Sequence, residues 1–238
     1  QFAGEAKRWF PTARVMVVTS EDLTPSGRHR FWRRVQVTNP DMIITTPEAF
    51  KRLRLPLDFE RRFLMDEIAG YESALNAAKE EKSNARRVKS METALAGKVT
   101  QLKGMLNIEE KDDERITLAD LGITSLFVDE AHRFKALQVD SSEQILGIPS
   151  SASQRAFDML SKVRYLQDSN GKVIFATGSA ITNTIAEVYN MQRYLQPDLL
   201  AQTGVASFDA WRAQFAETVQ SLEPDPAGRG YRIVNRLA

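Results

Sequence analysis

The chain has 238 residues, enough for one large domain or two small ones, and its 42% hydrophobic and 26% charged content is that of a globular protein. With no cysteine and only two histidines it excludes a disulfide framework, a cysteine nucleophile and a zinc centre built on thiolates or on several imidazoles. A net charge of +1 puts any nucleic-acid affinity in local patches, and no apolar run reaches the roughly 18–20 residues that a membrane helix needs.

The opening residues 2–10 read as an amphipathic helix, and their polar start lacks the apolar stretch of a signal peptide. A chain that begins inside a helix and ends on the strand-like residues 233–238 reads as an excerpt of something longer; a trimmed complete protein is the alternative. Residues 14–19, rich in valine, predict a buried strand. A helix over 26–37 follows, then turn chemistry at Thr38-Asn39-Pro40-Asp41 and a second strand over 42–46. Pro47 suits the first position of a short helix reaching residue 53. Strand, helix, strand, helix predicts a parallel sheet covered by helices.

From 59 to 106 the pattern changes. Small or apolar residues recur at helical steps, first at Leu64, Ile68, Tyr71, Leu75 and Ala78, then at Val88, Met91, Leu95, Val99, Leu102 and Leu106. The spacing predicts an antiparallel helical hairpin bending near 82–85, with a single long helix as the alternative. Its stripe reads as an interhelical seam, less as a face for a partner. Residues 109–114 form an acidic connector. A strand over 123–128 resumes the sheet, and a Ser- and Gly-containing loop runs from 137 to 152. That loop is long enough to suggest a moving or DNA-facing element, or disorder. A helix over 153–166, a turn at 168–171 and a strand over 173–176 follow. Two more helices are predicted over 183–195 and 208–222, the second capped by Ser207 or Asp209.

One motif carries chemistry. Asp129-Glu130-Ala131-His132 follows directly on the strand over 123–128, and in open α/β sheets ligands bind at the carboxyl ends of strands. Adjacent carboxylates repel unless a cation or water network lies between them; Mg²⁺ held by Asp129 through water offsets that repulsion. Glu130 is then placed to orient or deprotonate a water attacking a γ-phosphate. The plain alternative is a solvated loop with two acids and a surface histidine.

Val128-Asp129-Glu130-Ala131-His132-Arg133-Phe134-Lys135 resembles motif II of superfamily-two helicases, specifically the Swi/Snf-like DNA translocases. Residues 175–183, with Thr177-Gly178-Ser179-Ala180 at their centre, resemble motif III, and Glu187, Tyr189 and Tyr194 fit the helix after it. Phe208-Asp209-Ala210-Trp211 resembles a later segment of the same lobe, residues 1–11 the end of motif Ia, and Ile44-Thr45-Thr46-Pro47-Glu48 motif Ib. The likeness is closest to the helicase half of large plasmid- and phage-borne methylase–helicase proteins.

The resemblance implies a RecA-like α/β lobe over 1–57 and 108–238, with the hairpin over 58–107 as an insertion. It implies Asp129 as the Mg²⁺ ligand, Glu130 as catalytic base, and His132 with Thr177, Gly178 and Ser179 as the coupling to DNA. Thr45, Thr46, Arg133 and Lys135 are the DNA contacts it implies. ATP is the implied substrate, and double-stranded DNA, a second lobe and a methylase domain are the partners, in a bacterial cytoplasm. Two departures stand out. No Gly-x-x-x-x-Gly-Lys-[Ser/Thr] is present; in the family that loop precedes motif Ia, so the chain by itself is expected to turn over no ATP. Ser179-Ala180 also replaces the usual Thr-Pro, removing a fixed φ. The rival reading is a non-catalytic DNA-binding or protein-interaction module built on such a lobe.

Residues 27–34, Gly-Arg-His-Arg-Phe-Trp-Arg-Arg, are basic with interleaved aromatics. They read either as a phosphate-contacting patch or as an amphipathic helix burying Phe31, Trp32 and Val35.

Overall fold

The computed structural model describes residues 2–24, 26–80, 85–106, 117–139, 141, 145, 148, 153–224 and 230–237. The chain is α/β and divides into two compact units, Gln1–Glu60 with Asn107–Ile123, and Arg61–Leu106 with Thr124–Ala238. The expected acidic connector over 109–114 and the bend at 82–84 lie outside the described residues.

In the first unit, helix α1 (Phe2–Trp9) precedes strand β1 (Val15–Val18), helix α2 (Arg28–Thr38), strand β2 (Met42–Thr45) and the one-turn helix α3 (Pro47–Phe50). β1 and β2 pair in parallel, Val15 with Met42 through Val18 with Thr45. Arg14 clamps the start of that ladder: its Nη2 and Nε lie 2.9 and 3.1 Å from the Asp41 carboxylate, and its backbone N–H donates to the same group at 2.8 Å. Met16 and Val18 are buried while Val17 is half exposed, so the expected fully buried strand buries one face only. α2 buries Phe31 and Val35, one helical turn apart, half-buries Trp32 and leaves His29, Arg30, Arg33 and Arg34 exposed. It ends at Asn39, whose left-handed φ of 38° lets its N–H reach Val35 O. Thr46 caps α3 by accepting from Ala49 N at 3.2 Å, and Pro47 takes the first helical position as expected. The helix is shorter than the sequence suggests, with residues 51–53 continuing as turn and bend.

In the second unit, α4 (Leu57–Glu80, from residue 61) and α5 (Ala85–Leu106) form the hairpin. Glu67 pairs with Lys98 and Lys79 with Glu92, so contacts move backward along α5 as they move forward along α4; the helices are antiparallel. Leu75, Ala78 and Met91 make the seam, with Ala74, Val88 and Leu95 against it.

Strands β3 (Ser125–Val128) and β4 (Lys172–Phe175) pair in parallel, with helix α6 (Gln154–Asp168) in the crossover between them. Ser153 caps α6 by accepting from Ala156 N at 3.1 Å. At the return turn Asn170 has a φ of 56°, and a Cβ on Gly171 would lie 2.8 Å from Leu166 O, so only glycine fits. Phe127 and Ile174 are register partners on an exposed face; again one face is buried where a run of apolar residues suggests two.

Helices α7 (Ala186–Leu195), α8 (Pro197–Gln202) and α9 (Phe208–Phe215) enclose a core of Ala186, Tyr189, Leu200, Val205, Phe208 and Trp211. Val139 and Ile145 from the long loop enter the same core, so those described parts of the loop are anchored rather than loose. α9 stops at Phe215, where Ala216 turns extended. The expected helix to 222 is therefore corrected: Thr218–Pro224 is a strand, β5, paired antiparallel with β6 (Tyr231–Leu237). α8 is a helix that the sequence reading passes over, and α7 begins at Ala186, later than 183.

Among the described residues no helix is long and apolar enough to cross a membrane.

Candidate functional site

The carboxyl ends of β3 and β4 lie side by side because the two strands pair in parallel and in register, Val128 with Phe175. The ladder continues past the strands. Ala176 N donates to Val128 O at 2.8 Å, and Ala131 N donates to Ala176 O at 3.0 Å. Between these two bonds the chain carries Asp129 and Glu130, both exposed. Glu130 takes a left-handed backbone, φ 52° and ψ 44°, which turns the chain into a single 3₁₀ turn, Ala131–Phe134. Buried Ala131 and Phe134 anchor that turn.

His132, half-buried, joins the two strand ends. Its Nδ1 lies 3.1 Å from Thr177 Oγ1, beyond β4, and 3.1 Å from Glu130 Oε2. The contact with Thr177 has hydrogen-bond geometry, and the Glu130 carboxylate lies beside the same nitrogen. Thr177 Oγ1 in turn accepts from Ser179 N at 3.2 Å. Glu130, His132, Thr177 and Ser179 therefore form one connected chain of contacts across two strand ends. Gly178 is exposed, with open space where a Cβ would stand.

Arg133 is exposed. Lys135 is not a free cation: its Nζ is 2.9 Å from Glu187 Oε2 and also bonds Thr182 Oγ1. Burial pushes the Glu187 carboxyl up, but the bonds from Lys135 and the Thr182 amide outweigh it and hold it below the ordinary glutamate value. Three further side chains of α7 hold the segment leaving the motif. Asn190 Nδ2 donates to Lys135 O at 2.9 Å, Arg193 Nη1 to Gln138 O at 2.7 Å, and the Tyr194 hydroxyl lies 2.9 Å from Phe134 O. Burial raises the Tyr194 phenol well above its usual range. The sequence reading gives Glu187 and Tyr194 no chemical role and passes over Asn190. The signal was the helical spacing of polar groups at 187, 190 and 194 on a helix that is otherwise core.

Thr45 and Thr46 belong to the first unit. Thr46 Oγ1 is the cap acceptor of α3, and Thr45 Oγ1 donates to Thr46 O at 3.4 Å.

Among the described residues no cluster of three His, Cys, Asp or Glu could hold a metal alone. A cation at Asp129 would take its other positions from water and phosphate oxygens, as Mg²⁺ commonly does. The exposed Asp129–Glu130 pair fits that arrangement. A phosphate cradle of the Gly-x-x-x-x-Gly-Lys-[Ser/Thr] type is not among these residues.

Residues 1–225 match the model of a family described as a probable helicase domain. No curated protein and no solved structure matches the chain.

Proposed function

Because the chain belongs to the probable helicase domain family, we propose that its helicase-type activity is ATP-driven translocation on double-stranded DNA by a superfamily-two, Swi/Snf-like motor, for which this chain supplies motifs Ia to III. The observation that carries the reading is the Glu130–His132–Thr177 chain across the joined ends of β3 and β4. Asp129 would hold Mg²⁺ through water, and the ion would neutralise charge developing on the transferred phosphoryl group. Glu130 Oε2 takes the proton of the attacking water, while His132, bonded to Thr177, lies against that carboxylate. Thr177 and Ser179 couple this site to DNA, with Arg133 as a DNA contact of the second unit; Thr45 and Thr46 are DNA contacts of the first unit. Lys135 supports the second unit's contact from within its ion pair with Glu187. ATP is the substrate, its phosphate loop and second lobe lie elsewhere in the protein, and a methylase domain and a plasmid or phage setting in the bacterial cytoplasm complete the proposal.

Glu130→Gln tests it in the intact protein holding both lobes. The amide keeps the shape but cannot accept the proton, so kcat should fall by about 10²–10⁴ with ATP binding retained. An unchanged kcat removes Glu130 from the hydrolytic centre and favours the non-catalytic module.

A further inference from the structure

Helix α7 presents Glu187, Asn190 and Tyr194 on one face, and all three are buried, at 7%, 1% and 0% exposure. Buried polar groups on a helix are costly unless each finds a partner. Asn190 donates to the carbonyls of Lys135 and Leu137 at 2.9 and 3.2 Å, and Tyr194 reaches that of Phe134. Asn190 grips the segment leaving motif II, and Tyr194 ties Phe134 to α6, its hydroxyl lying 2.8 Å from Ala156 O.

Glu187 does something different. One carboxylate oxygen, Oε2, meets Lys135 Nζ at 2.9 Å and the Thr182 backbone N–H at 2.7 Å. Thr182 Oγ1 lies 3.3 Å from both carboxylate oxygens and bonds Lys135 as well. Among the described residues of α7, Glu187 alone bonds both the end of motif II, at Lys135, and the turn of motif III, at Thr182.

We propose that Glu187 is a positioning residue: it clasps the turn carrying Thr177 to Thr182 against the exit from motif II, and so fixes the reach between His132 and Thr177. The proposal rests on the hydrolytic reading of that pair. A carboxylate suits the task because it accepts several donors at once, a cation and an amide here. Without the clasp the turn is free to move away from His132, and a misplacement of about 1 Å at a reacting centre can cost on the order of 10²-fold in rate.

A reversed pair, Lys135→Glu with Glu187→Lys, separates this role from that of an ordinary ion pair. The reversal restores the charge contact, but an ammonium has donors only and cannot accept from the Thr182 N–H. Glu187→Gln does the opposite, keeping an acceptor for that N–H while losing the charge. Amide hydrogen exchange on the 238-residue chain reads the outcome directly. In the reversed pair Thr182 should exchange about tenfold faster than in the wild type, while the amides of Leu126 to Val128 and the melting temperature stay near the wild type. In Glu187→Gln the Thr182 amide should remain the better protected of the two. Exchange at Thr182 that stays at the wild-type rate in the reversed pair, or rises only as much as in β3, overturns the clasp.

In the intact motor the reversed pair should lower kcat about tenfold at unchanged KM for ATP. Wild-type turnover with an unaltered kcat in the reversed pair overturns the positioning role. Absence of turnover in the wild type counts against the hydrolytic reading, and the exchange rates still decide the clasp.

Discussion

Replacing Lys98 by Met tests whether the helical hairpin is a free arm or is built into the second unit. Lys98 sits on α5 with its Nζ 2.7 Å from Glu67 Oε2, 4.1 Å from the ring centroid of Phe157 and 4.9 Å from that of Tyr71. Phe157 belongs to α6, the crossover helix of the β3–β4 pair, and its ring also meets Phe63 of α4 at 5.5 Å. The ammonium thus joins both arms of the hairpin to the helix that carries the sheet. Lys98 and Glu67 are only 12% and 24% exposed, so the pair is shielded though not fully buried. Met keeps the length and apolar stem, and the charge is what goes. Each ring contact is worth about 0.5–1 kcal/mol, more where desolvated. The ion pair adds about 0–1 kcal/mol at this exposure. Together these give a loss of about 1–3 kcal/mol, and at about 2–4 °C per kcal/mol for a chain of this size the melting temperature should fall by about 2–12 °C. A cycle with Phe157→Leu should show coupling of about 0.5–1 kcal/mol, because the second substitution removes a contact already lost. Calorimetry on the four proteins measures both. An unshifted melt, or costs that simply add, would refute the pin and make the hairpin a free arm.

The Arg14 side chain, helped by its backbone N–H, draws the Asp41 carboxyl down to about 2. A folded value below the unfolded one stabilises above the ordinary carboxylate range, and the effect fades as pH falls from about 4 toward 2. An NMR titration should find the Asp41 midpoint near 2 and see it return to the ordinary range in Arg14→Gln; an unmoved midpoint rejects the clamp. Glu130→Gly should raise the free energy of unfolding by about 0.5–1.5 kcal/mol in urea, because glycine takes a left-handed backbone without strain. A destabilised variant would show that the Glu130 side chain matters more to the fold than its φ.

The strands were legible because β-branched runs at Val15, Val17 and Val18 and at Ile43 and Ile44 leave few other structures. The cap of α9 was legible as Ser207 or Asp209 because a polar oxygen ahead of an apolar period has one obvious use, and the structure gives it to Ser207. Residues 218–222 misled for a definite reason. Phe208, Trp211, Phe215, Val219 and Leu222 keep helical spacing throughout, yet pairing with β6 turns the last two into strand. Local period cannot see a partner strand further along the chain. The Asp129–His132 motif was legible because four residues in a row carry it. The contacts that hold the end of that motif were not, since Lys135 and Thr182 are 47 positions apart and Phe134 and Tyr194 are 60. Only the fold brings those groups together. It also gives Lys135, readable in sequence only as one more cation, a carboxylate partner.

Three non-glycine residues have a left-handed backbone among those described: Asn39, Glu130 and Asn170. Asparagine at the first and last follows from stability, since it is the side-chain-bearing residue that tolerates this conformation best, at the end of α2 and at the turn into β4. Glutamate at 130 does not follow from stability. In that conformation an ordinary L-residue is strained by roughly 1–2 kcal/mol, and such strain persists only where the surroundings over-determine the backbone. Here they do. The Ala131 N–H is held by Ala176 O, Ala131 and Phe134 are buried, and His132 is tied to Thr177. The second unit thus spends packing and hydrogen bonds to hold an exposed carboxylate in a backbone that asparagine or glycine would take without effort. A solvated loop has no use for that arrangement. A site that needs a carboxylate oxygen aimed out of the joined strand ends does, and this is why the strained φ, more than the motif's letters, argues that Glu130 acts on something that binds there.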